Sequence, residues 1–140
     1  MKRWLVPIAL LAVTLAGRGQ DASPFQAYDV FIDAGDSALA VYQVEIRASK
    51  GALVTGVEGG VAPFAQAPYY DPAALQGGRI VIGAFTKNQN VPRGRVRVAR
   101  LHMMEENGAA TYTVKVIAAA GPDGEKTPAK IELARVGEKR

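Results

Sequence analysis

The feature that most constrains this chain is a two-residue rhythm of apolar side chains, broken at short intervals by turn residues. Tyr28, Val30 and Ile32 alternate with Asp29, Phe31 and Asp33. Ala40, Tyr42, Val44 and Ile46 alternate with Val41, Gln43, Glu45 and Arg47. Leu53, Thr55 and Val57 follow, then Ile80, Ile82 and Ala84, then Tyr112, Val114 and Val116, and last Ile131 and Leu133. In a strand, successive side chains point to opposite faces, so this period marks half-buried strands. No stretch of the mature chain repeats its apolar residues every three or four positions over a helix length.

Turn chemistry separates the runs: Asp33-Ala-Gly-Asp36-Ser37, Ser49-Lys-Gly51, Gln76-Gly-Gly78, Glu106-Asn-Gly108 and Gly121-Pro-Asp-Gly124. Short strands with such punctuation predict an all-β fold, a single sandwich of two antiparallel sheets. Two places are irregular. Val96 and Val98 share one parity and Leu101 and Met103 the other. A β-bulge near Ala99-Arg100 would turn all four to the core. Pro63 to Leu75 reads as a long surface connection, in which Asp71 caps one helical turn begun by Pro72.

At the N-terminus, Lys2 and Arg3 precede an uncharged, mostly apolar run of 14 residues, Trp4 to Gly17. That is the layout of a secretory signal peptide, spanning residues 1–17, with cleavage after Ala16 or later at Ala22. The run falls short of the about 20 apolar residues that span a bilayer, so membrane attachment is expected only through an uncleaved N-terminus. Leu15-Ala16-Gly17 resembles the start of a lipobox, but Arg18 stands where the lipid-bearing Cys would be. The chain is therefore expected to be exported, to the periplasm or the extracellular envelope, without a lipid anchor at that position. Residues 18–26 read as a linker, 27–136 as the folded domain and 137–140 as a charged tail.

With no cysteine, the chain has no disulfide scaffold and no thiol chemistry. The net charge of +4 falls to +2 once Lys2 and Arg3 leave with the signal, which gives little attraction to nucleic acid.

The order of the segments resembles cohesin-type and related carbohydrate-binding-module-like domains. The resemblance rests on Leu39-Ala-Val-Tyr-Gln-Val-Glu-Ile46, Val54-Thr-Gly-Val57 with the following glycine pair, Gly78-Arg-Ile-Val-Ile-Gly83, Pro92-Arg-Gly94 and Val98-Ala-Arg-Leu-His102. It covers roughly residues 27–136. It implies a jelly-roll sandwich of about nine strands and non-catalytic binding. The chain departs from the family in having one domain and no dockerin-like calcium repeat.

The residue inventory fits a binding role. His102 is the only histidine, expected on the outer face of its strand, and Ser23, Ser37 and Ser49 lie in turns or the tail, so no catalytic triad assembles. Enzyme chemistry is not expected, nor any cofactor or metal. Asp29, Asp33 and Asp36 have oxygen-ligand spacing but lack the calcium-loop pattern. Two groups remain as candidates for binding. Tyr69, Tyr70 and Asp71 would offer a flat apolar face with polar tips. Arg93, Arg95 and Arg97, with Arg100 nearby, would offer aligned guanidiniums to an anionic partner. The expected function is an exported binding or adhesion module that recognises a protein, or else a polysaccharide, in the bacterial cell envelope. The alternative is an assembly subunit that pairs through a strand edge.

Overall fold

The computed structural model describes residues 23–138; the signal segment and Arg18 lie outside the described residues. The fold is all-β, with seven strands: β1 (Phe25–Asp33), β2 (Val41–Ala48), β3 (Leu53–Gly59), β4 (Arg79–Phe85), β5 (Arg95–Met104), β6 (Tyr112–Ala120) and β7 (Lys130–Arg135). Among the described residues there are seven strands rather than about nine. The long stretch between β3 and β4 holds one 3-10 turn, Pro72–Ala74, and one isolated bridge instead of further strands. β1 begins at Phe25, inside the stretch read as linker.

Two antiparallel sheets form, one ordered β3-β5-β1-β7 and the other β4-β2-β6. Odd strands make one sheet and even strands the other, so all six connections pass from sheet to sheet. The Gly/Asn/Asp punctuation therefore builds crossings between sheets. The first crossing shows how the sequence does this. Asp33 Oδ1 accepts the Gly35 amide at 2.9 Å, and Gly35 takes a positive φ of 58°, which reverses the chain at once after β1.

One buried cluster draws on both sheets. Val30, Ile32, Val98 and Leu101 come from the first; Tyr42, Val44, Ile46, Ile80 and Ile82 come from the second. These are the inward-parity residues of the sequence. Burying each contributes roughly 1.5–3 kcal/mol relative to exposure, which is what holds the sheets together. Tyr42 adds an edge-to-face contact with Phe64, centroids 5.4 Å apart.

The expected bulge in β5 is present, one residue earlier than predicted. Val30 pairs with Ala99 and Phe31 with Arg97, leaving Val98 as the extra residue. Ala99 is small enough to be buried beside Val98, so the parity changes there and Arg100 already points outward.

A polar cluster closes one end of the core. Glu105, only 6% exposed, accepts from the Tyr28 hydroxyl at 2.9 Å, the Tyr112 hydroxyl at 2.8 Å and the Ala110 amide at 3.2 Å. It thus ties β1 of one sheet to β6 of the other. Burial first, and the hydrogen bond to Glu105 second, push both phenols above their ordinary pKa.

Candidate binding site

The outer face of the four-stranded sheet carries the arginines. Arg95 and Arg97 lie on β5, whereas Arg93 sits in the loop before it and donates to the carbonyl of Asp36. Arg95 meets Glu132 at 3.3 Å, and its guanidinium carbon lies 3.4 Å from the centroid of the Phe31 ring. Arg100 binds Asp29 through Nε at 2.7 Å and Nη2 at 3.2 Å. Arg97 approaches the same carboxylate at 3.8 Å. His102 faces outward as expected, and its Nε2 lies 2.7 Å from Glu58 Oε2. That contact holds the Glu58 carboxyl below the usual carboxylate range. Arg97 and Arg100 thus find Asp29 on the adjacent strand β1, and Arg95 reaches over Phe31 of β1 to Glu132 on β7, pairings that sequence distance hides.

The aspartates are spent in the same way. Asp29 serves two arginines and Asp33 holds its turn. Among the described residues, no three acidic or histidine side chains converge.

The tyrosines lie at the other sheet. The Pro63–Leu75 connection runs along the edge of β4, where Tyr69 and Gly83 exchange both backbone hydrogen bonds, at 2.8 and 3.0 Å. This places the Tyr69 ring, 75% exposed, parallel to that of Phe85, with centroids 6.4 Å apart and an interplanar angle of 9°. Phe85 is 56% exposed, and its cross-strand partner Val41 is 40% exposed. Tyr70 turns the other way and packs half-buried against the core. Asp71 caps the 3-10 turn as expected, its Oδ1 accepting from the Ala73 amide at 2.9 Å. That cap holds the loop in place beside β4.

An open depression of ≈ 780 Å³ lies between the loop and the strands, lined by Tyr69, Tyr70, Phe85, Val41, Gln43 and Arg79 among others. Toward the opposite end of the same face, Glu45 accepts from Arg47 at 2.7 Å and from Arg79 at 2.5 Å. The hydrogen bonds from Arg47 and then Arg79 draw the Glu45 carboxyl below its ordinary range. The site therefore has an aromatic end and a cationic end on one sheet face.

Sequence reasoning singled out Tyr69, Tyr70 and Asp71 but missed Val41, Phe85 and Arg79. A signal for the first two was present: both are large apolar residues on the outward parity of their strands. No family model matches the chain, and no curated protein or solved structure matches it either.

Proposed function

We propose that this chain is an exported, non-catalytic binding module, a cohesin-like jelly-roll sandwich that recognises a protein partner in the cell envelope. One observation carries the reading. Tyr69 and Phe85 stack in parallel while largely exposed, beside an exposed Val41. Contiguous apolar surface of this kind, rimmed by polar groups, is characteristic of recognition sites, and aromatic residues dominate binding energy at such sites. The two sheets sharing one core support the sandwich. The basic start and apolar run at residues 2–17 support export.

Strand-edge assembly has less support at β4, because the main chain of Tyr69 already occupies both backbone groups of Gly83. The test is capture from the native envelope fraction with the full chain as bait, beside a Tyr69→Ala/Phe85→Ala variant. A specific protein retained by the parent and lost in the variant is the expected result. Equal retention by both would refute the site.

A further inference from the structure

The Tyr69–Phe85 site continues into charge, and the two halves together describe the partner. Phe85 and Arg79 lie on the same face of β4, six residues and roughly 20 Å apart. At the far end, two guanidiniums, Arg47 and Arg79, share the single carboxylate of Glu45. Both arginine side chains are more than half exposed, at 57% and 53%. Arg47 engages Glu45 through Nε alone, which leaves donors of its fork directed at solvent. Lys115 faces Glu45 across the β2–β6 pair and adds positive charge. The acid that lines the depression itself, Asp71, has one carboxylate oxygen engaged in its cap. An excess of cation therefore sits at one end of a flat strand face and an apolar stack at the other.

We infer, building on the binding reading above, that this face takes an extended acidic segment of the partner protein. An aromatic or branched aliphatic side chain packs against Tyr69 and Phe85. A carboxylate five to seven positions along the segment reaches Arg79 and Arg47, the spacing set by the strand rise. The guanidinium fork suits a carboxylate better than a point charge would, since it can donate two parallel hydrogen bonds.

The test is selection of phage-displayed random octapeptides on the full chain, followed by fluorescence anisotropy of the selected peptides. Folding of each variant is checked by circular dichroism. Selected peptides are expected to pair an apolar anchor with Asp or Glu five to seven positions away. Arg47→Gln/Arg79→Gln should weaken them about three- to fivefold at low salt, the size of one or two exposed charge pairs, and less at high salt. Arg79→Lys should keep the acidic preference at reduced affinity. Tyr69→Ala/Phe85→Ala should weaken the same peptides about tenfold or more.

Peptides that carry no acid, or that bind the glutamine variant undiminished, overturn the acidic segment; loss in the Tyr69→Ala/Phe85→Ala variant would then still uphold the site. Undiminished binding by that aromatic variant overturns the site itself. A glycan, or a second copy of this chain, held through Tyr69 while no peptide is selected overturns the peptide assignment.

Discussion

On the outer face of the four-stranded sheet, charge answers charge, Arg95 to Glu132 and Arg97 and Arg100 to Asp29, and the His102 ring meets Glu58 at hydrogen-bond distance. On the outer face of the three-stranded sheet, one end is ionic around Glu45 and the other exposes Tyr69, Phe85 and Val41. Both sheets obey the same inward rule and place branched aliphatic residues in one core. The inward parity is thus fixed by the fold, while the outward parity is free to differ. A face whose ions pair internally already satisfies its own groups and gains little from a partner. A face that leaves aromatic area in water has hydrophobic free energy still to release, about 25 cal/mol for each Å² that a partner covers.

Both outer faces depend on the core that the two sheets share, so the strongest perturbation is one that separates the sheets. Glu105→Ala removes the acceptor for Tyr28, Tyr112 and the Ala110 amide at a buried site. The expected loss is about 3–5 kcal/mol, from donors left unpaired in the interior. Urea unfolding by circular dichroism would measure it, and a loss under about 1 kcal/mol would show that the cluster is not what joins the sheets.

Alkaline pH probes the same junction more gently. Tyr28 comes from the four-stranded sheet, Tyr42 and Tyr112 from the other, and burial raises all three phenols above the ordinary value of 10.0. Below that value, folded and unfolded chains both keep these protons. Above it, the unfolded chain releases them first, binds fewer protons than the native state and is favoured as pH rises. Stability should be level to about pH 9.5 and then fall by as much as ~1.4 kcal/mol per pH unit for each phenol. Tyr112→Phe should make the decline shallower. A flat profile to pH 11 would contradict the raised phenols.

What a single strand decides for itself was legible in the sequence. Parity assigned Val30, Ile32, Val44, Ile46, Ile80, Ile82 and Leu101 to the core, because alternation is local and burial follows it. Asp71-Pro72 announced its turn, since capping needs only neighbours. Parity says which way a side chain points, and not which strand lies beside it. The six sheet-to-sheet crossings, the count of seven strands and the pairing of Arg97 with Asp29 all depend on partners distant in sequence. The bulge falls one residue before Ala99-Arg100 because parity only requires an extra residue somewhere between Val96 and Leu101, and packing against β1 selects Val98. Tyr69 could be marked as a candidate, but Phe85 became its neighbour only through a bridge formed by the folded loop.

The sharpest division between the two outer faces comes from the smallest changes in stability. Asp29→Asn withdraws charge from two half-buried arginines, and the shared carboxylate is what favours the charged form of Arg100. It should cost about 1–2 kcal/mol and leave partner binding unchanged. Tyr69→Ala/Phe85→Ala removes rings that mostly face water, so it should alter stability by no more than about 0.5 kcal/mol while abolishing capture of the partner. Urea midpoints and the envelope capture assay, run on both variants, form a crossed pair of measurements. If Asp29→Asn weakened capture as much as the aromatic variant did, recognition would belong to the fold as a whole and not to one face. If the aromatic variant lost more than about 2 kcal/mol, Tyr69 and Phe85 would be buttressing the edge of β4, and their exposure would have a structural explanation.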